Sequence, residues 1–315
     1  MNTQIELLKK MMQIRAFEEL SRELYTQEKI RGFLHLYSGQ EAVAVGVLQH
    51  LTLEDNVVAT YREHAHALMK GLSVREVMAE MFGKVSGCSR GRGGSMHLFS
   101  KEKRFFGGNA IVASGISHAV GLSLAAKLLN ENRHTVCFFG DGAVAEGDFH
   151  ESLNMASLWS LPVLFCCENN FYAMGTALGR HQAQINLVEK VHHGYKIDSM
   201  EIDGMNVMEV FEGTKIALAS IAKSGRPHFI EFKTYRFHSH SMFDPELYRK
   251  KDEVEFWKTC CPIEKLKKEL LSGGYLDEEK LLLIQKDIEK KLQESVEFAE
   301  SARWEEMSEA LGVLR

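Results

Sequence analysis

Short apolar runs separated by helix-length segments constrain this chain more than any other feature. Val57–Ala59, Thr135–Phe139 and Pro162–Cys167 are such runs, and His228–Phe232 follows a helix-like stretch from Val207 to Lys223. Their length and flanking turns read as buried strands rather than helices. Strands alternating with helices of this length imply βαβ units, because a parallel neighbour is reached only by a crossover connection. The expected class is α/β, with a parallel sheet flanked by helices.

The ends of the chain read differently. Ile5, Leu8, Met12, Ala16, Leu20 and Leu24 form one helical face, opened by a Thr3-x-x-Glu6 capping box and continuing to about Arg31. After Pro262 come two charged amphipathic segments, Lys265–Leu271 and Glu278–Ala302, separated by Ser272-Gly273-Gly274. These predict a helical N-terminal segment and a helical tail over 262–315. No Pro-rich or Gly/Ser linker divides the chain, so residues 1–315 are expected to form a single domain.

Charge and cysteine usage narrow the class of partner. A formal net charge of -5 with scattered Lys and Arg argues against nucleic acid. The N-terminus shows no apolar signal core, and no stretch approaches the ~20 apolar residues of a membrane span. None of the six cysteines lies in a Cys-x-x-Cys pair, and Cys137, Cys166 and Cys167 sit inside apolar runs. They read as small buried hydrophobes in a reducing compartment, so a cytoplasmic location is expected.

The chemistry concentrates where two strands end. Gly140-Asp141-Gly142-Ala143 follows one run, and Glu168-Asn169-Asn170-Phe171-Tyr172 closes the next, one βαβ unit later. In open parallel sheets ligands bind beyond the carboxyl ends of the strands. Magnesium takes oxygen ligands in an octahedron and is commonly shared with phosphates. The Asp141 carboxylate, the Asn170 amide oxygen and the Tyr172 backbone carbonyl would supply half of such a shell, leaving room for two diphosphate oxygens and a water. Gly140 and Gly142 permit a tight turn and close approach to phosphate, and the N-terminus of the following helix would face the anion. Either motif alone is a common turn; the pair on consecutive strand ends is specific. No P-loop motif and no EF-hand ligand ladder is present.

These blocks resemble the thiamine diphosphate motif, and most of the chain is similar to the alpha subunits of thiamine-diphosphate-dependent 2-oxo acid dehydrogenases, those of pyruvate dehydrogenase in particular. Further matching blocks are Arg31–Ala42, Tyr61-Arg62, Gly93–His97, Gly107–Val112, Cys167–Thr176 and Tyr235–Met242. The resemblance implies the diphosphate-binding half of the thiamine diphosphate-binding fold, with thiamine diphosphate and magnesium as cofactors. It implies that Tyr61 and Arg62 contact the diphosphate, as do Gly142 and Ala143 through their backbone. Ala110 and Val112 would hold the aminopyrimidine by their backbone. His240 would sit beside the diphosphate and the reacting centre as a catalytic residue, and His35 would face the substrate.

The implied activity is oxidative decarboxylation of pyruvate with acetyl transfer to a lipoyl group of an acyltransferase. Alternatives are an acetoin or branched-chain 2-oxo acid dehydrogenase, or a catalytically inactive scaffold subunit. Only one α/β unit of the required kind is legible, so the carboxylate that activates the aminopyrimidine is expected from a beta subunit in an α2β2 assembly.

Other features leave alternatives. The His64/His66 and His238/His240 pairs would each present two rings on one face of a strand, but neither has a third zinc ligand at characteristic spacing. Gly91-Arg92-Gly93-Gly94 reads as a phosphate nest or a structural loop, the second being favoured. The chain departs from its relatives at Ala110, usually glycine, and at Ala113–His118, where a proline is missing and a histidine added. Ser241 is expected to order its loop by hydrogen bonding.

Overall fold

The computed structural model describes residues 2–312. The first half runs α1 (Asn2–Thr26), α2 (Glu41–Leu48), β1 (Asn56–Val58), α3 (His64–Met69), α4 (Val74–Met81), α5 (Ser114–Leu128), β2 (Thr135–Gly140) and α6 (Gly147–Leu158). Then come β3 (Val163–Asn169), the hairpin strands β4 (Tyr172–Ala173) and β5 (Thr176–Ala177), α7 (Leu178–His181), α8 (Leu187–Tyr195) and β6 (Asp198–Asp203). The chain continues through α9 (Val207–Ser224), β7 (His228–Lys233), α10 (Lys251–Thr259), α11 (Pro262–Ser272), α12 (Glu278–Ser301) and α13 (Met307–Gly312).

Five strands form one parallel sheet in the order β1-β2-β3-β7-β6, flanked by helices. Their pleat sorts side chains between two cores. Val136, Phe138, Leu164, Cys166, Ile230 and Phe232 enter one, with α1, α2 and α9. Cys137, Phe139, Val163, Phe165, Cys167 and Phe229 enter the other, against α5, α6 and α8. Burying a Phe or Leu side chain contributes about 1.5–3 kcal/mol, so this double burial explains why the central strands are unbroken apolar runs. The three cysteines in them are fully buried, as their setting predicted.

Three expectations need correction. The strand β6 was not foreseen, because it is an edge strand pairing only with β7 and burying only Ile202. The first helix stops at Thr26, not Arg31: Glu28 adopts φ 59, and the Glu28 and Lys29 N–H groups donate to the Tyr25 and Leu24 carbonyls. That is a Schellman stop made without glycine. Finally, the helix expected directly after Gly140–Ala143 starts later. A 3-10 turn, Asp141–Ala145, comes first, and α6 begins at Gly147.

The tail packs on the body. One face of α12, comprising Leu281, Ile288, Leu292, Val296 and Ala299, is buried, and the helix lies against α1 and α4. No helix among the described residues is long and apolar enough to cross a membrane.

Candidate active site

Four chain segments leave the carboxyl ends of neighbouring strands and line one cavity of about 520 Å³. Thr60, Tyr61 and Arg62 come from the end of β1, and Gly140–Ala143 from β2. Glu168 and Asn170 come from β3, and Arg236 and His240 from beyond β7. His35, Ala110, Val112 and Tyr172 complete the sequence-derived set on the same cavity. This is where a parallel sheet places ligands.

Asp141 is buried at 1% exposure, with His181 Nε2 lying 3.2 Å from its Oδ2. Of the two asparagines, only Asn170 lines the cavity. Asn169 shapes the turn instead: its Oδ1 accepts from the Phe171 N–H at 3.0 Å and its amide donates to Glu231 at 2.6 Å. Phe171 then takes the left-handed conformation, φ 71, which turns the chain into the β4–β5 hairpin. The Asn170 amide nitrogen donates to Gln40 Oε1 at 3.1 Å, which turns Oδ1 to the other side, where it accepts from Arg236 at 3.4 Å and keeps a lone pair for a cation. The Tyr172 hydroxyl donates to Glu253, so its side chain is engaged elsewhere and its backbone is what remains for the site.

The glycines act differently from one another. Gly142 has no room for a side chain, since a Cβ would lie 2.9 Å from the Ala173 methyl. Gly140 has an ordinary extended backbone, φ -80, and a Cβ there would enter open space at the cavity wall. Its bare surface suits close approach of an anion rather than a strained turn.

Two buried guanidinium groups line the cavity, Arg62 and Arg236. Arg62 donates to the carbonyls of Leu36 (2.5 Å) and His240 (2.8 Å). Arg236 donates to the Met174 carbonyl, the Tyr248 hydroxyl and Asn170 Oδ1. Burial, together with each other's charge, lowers Arg62 to about 10. Positive charge buried without a carboxylate partner is costly, and an anion in the cavity would offset it.

Above them three rings meet. His35 lies 4.5 Å from Tyr61 and 5.1 Å from His240 between centroids, and Tyr61 lies 5.6 Å from His240. Burial first, and Arg62 second, push His35 down to about 2 and His240 to about 3, so both are neutral near pH 7. The Nδ1 atoms of both are buried without a hydrogen-bond partner. Orphaned polar atoms on a cavity wall are what a ligand satisfies.

The histidine pairs separate rather than join. His238 bonds Glu19 at 2.8 Å and does not line the cavity, whereas His240 does. His64 and His66 lie on α3, not on a strand, and both are fully buried. His64 is satisfied by Glu18 and Ser95. The glycine-rich loop is indeed a nest, but the anion it holds is internal. Glu80 accepts from the N–H groups of Ser89 (2.8 Å), Gly91 (2.8 Å), Gly93 (2.7 Å) and Gly94 (3.2 Å). Ala110 does not adopt a positive φ, so its backbone conformation alone does not call for glycine, and His118 is exposed on α5 and does not line the cavity. Gln40, Glu168, Arg236 and His181 were not singled out from sequence. The first three lie inside the matching blocks, which was their signal; His181 carries none.

Residues 9–308 match the family described as the dehydrogenase E1 component. The chain belongs to the dehydrogenase E1 component family. This E1 component chain is 43% identical over 300 residues to the pyruvate dehydrogenase E1 component subunit alpha of Zymomonas mobilis, covering 95% of this chain and 84% of that one. The subunit of the same description from Porphyra purpurea is 43% identical over 302 residues, covering 94% and 88%. That of Rickettsia bellii is 40% identical over 298 residues, covering 95% and 91%. Membership implies thiamine diphosphate as the cofactor, and the sheet described above is the family's cofactor-binding fold.

Proposed function

We propose that this E1 component chain is the alpha subunit of a pyruvate dehydrogenase. Together with a beta subunit it would carry out thiamine-diphosphate-dependent oxidative decarboxylation of pyruvate, with acetyl transfer to a lipoyl group of an acyltransferase. The observation that carries this reading is one cavity joining Arg62 and Arg236, neither hydrogen-bonded to a carboxylate, to the oxygens of Asp141 and Asn170. Such a set suits a diphosphate with a divalent cation. Magnesium would be held by the Asp141 carboxylate, Asn170 Oδ1 and the Tyr172 carbonyl. Arg62, Tyr61 and the backbone of Gly142 and Ala143 would hold the diphosphate, and the backbone of Ala110 and Val112 the aminopyrimidine.

When bound, thiamine diphosphate supplies the electron sink for loss of carbon dioxide. His240, neutral and with Nδ1 free, can exchange a proton at that atom beside the reacting centre. His35 faces it edge-on from the side assigned to substrate.

Ile111 (68% exposed) and Met174 (64% exposed) line the same cavity as the polar set. Apolar side chains left open around a polar site favour a second chain closing over it, which supports the α2β2 assembly. All six cysteines are free, in keeping with a reducing compartment such as the cytoplasm. The pyruvate reading is favoured over acetoin or branched-chain substrates by the descriptions of the relatives, and the complete polar set speaks against an inactive scaffold.

The test is release of carbon dioxide by the purified chain, alone and reassembled with its beta subunit, across pyruvate, branched-chain 2-oxo acids and acetoin. Activity on pyruvate only in the assembly is expected. Robust decarboxylation by the isolated chain, or preference for another substrate, would overturn the corresponding part of the proposal.

A further inference from the structure

Asp141 has one side-chain hydrogen-bond partner among the described residues, His181 at the end of α7. The neighbours of His181 set the direction of that bond. Lys190 Nζ carries only donors; it lies 2.7 Å from Gln182 Oε1 and 3.2 Å from the Val144 carbonyl. Gln182 is buried at 5% exposure. With its Oε1 taken by the lysine, its NH2 group is the one turned to His181 Nδ1, at 3.3 Å. Nδ1 therefore accepts, the ring proton sits on Nε2, and Nε2 donates to Asp141 Oδ2 at 3.2 Å. Asp141 Oδ1 is left for another partner.

We propose that Lys190, Gln182 and His181 form a hydrogen-bond relay that fixes the His181 tautomer and aims the Asp141 carboxylate at the cation. His181 is thus a positioning residue, neither a ligand nor a catalytic residue. A carboxylate held by one oxygen loses its freedom to rotate, so a cation meets a preset ligand, and outer partners of this kind govern metal affinity. The inference rests on Asp141 being a cation ligand, and its test separates the two.

The experiment measures Mn²⁺ affinity by electron paramagnetic resonance titration of the α–β assembly with saturating thiamine diphosphate, alongside thermal melting. His181→Ala is expected to weaken Mn²⁺ binding roughly 10- to 100-fold. His181→Gln, which keeps an N–H donor, should recover most of it. Lys190→Met, remote from the cation, should weaken binding in the same direction by releasing Gln182. Unchanged affinity in both His181→Ala and Lys190→Met, with binding lost in Asp141→Ala, would overturn the relay alone. Unchanged affinity in Asp141→Ala would overturn the metal reading beneath it. A lowered melting temperature in His181→Ala without rescue of affinity by His181→Gln would reduce His181 to a packing residue and also reject the proposal.

Discussion

Arg62 and Arg236 reach one cavity from opposite sides of the sheet's centre, the first after β1 and the second after β7, and every acceptor they meet is neutral. Neither is hydrogen-bonded to a carboxylate; Glu18 and Glu168 attract Arg62 and Asp244 attracts Arg236 only from a distance, so an anion in the cavity would add direct partners. Arg62→Met should therefore weaken thiamine diphosphate binding about 10- to 100-fold, the range of one or two charge-assisted hydrogen bonds. Calorimetric titration of the assembly checks this. Inorganic diphosphate should lose affinity in parallel, because the lost contact is to phosphate.

Asp141→Ala and Asn170→Ala should abolish cofactor retention in magnesium buffer while leaving the far-ultraviolet circular dichroism unchanged. Both side chains stand at strand ends, where they close the cavity rather than the core. Near-native cofactor affinity in either variant would remove the metal assignment.

His240→Ala should lower turnover far more than it lowers Mn²⁺ affinity. Its ring faces His35 and Tyr61, while the cation oxygens come from other segments. The His240 carbonyl that accepts from Arg62 survives the substitution, so diphosphate binding should change little. Full overall activity in the variant would reject the catalytic role.

Stability should fall on acidification. In the fold His35 and His240 are held near 2 and near 3, against 6.5 for a free histidine. Between those values the unfolded chain binds more protons than the native one, so the stabilisation is complete above pH 6.5 and is lost as pH drops toward 3. The slope is bounded at about 1.4 kcal/mol per pH unit for each histidine. Urea midpoints at pH 7 and pH 5 measure it, and His240→Gln should make the decline shallower.

Glu80→Ala should destabilise the fold by about 3–5 kcal/mol, since it leaves four inward-pointing N–H groups without their buried acceptor. Differential scanning calorimetry reads this directly. Thiamine diphosphate should not restore the lost stability beyond its effect on the unmodified chain, because the nest is filled from within.

What the sequence determined by itself was everything governed by local pattern. The doubly buried strands β1, β2, β3 and β7 announce themselves as apolar runs, because both faces of each must leave water. Asp141 and Asn170 stood out by their places at consecutive strand ends, and Tyr61, Arg62 and His240 by the blocks that carry the family resemblance; the structure brings all five onto one cavity. The half-exposed β6 lacked such a pattern, and its pairing with β7 comes from the sheet. The turn after Gly140 was legible from its glycines, but not that it would run as a 3-10 helix to Ala145 and delay α6 to Gly147. Only the tertiary structure could show that the glycine-rich loop encloses Glu80, that Asn169 and Asn170 have separate duties, and that Arg236 shares a cavity with Arg62. Those facts depend on which groups distant in sequence share a buried volume. His181 is the clearest case: nothing around it marks chemistry, and its bearing on Asp141, 40 residues away, exists only because α7 folds back over the end of β2.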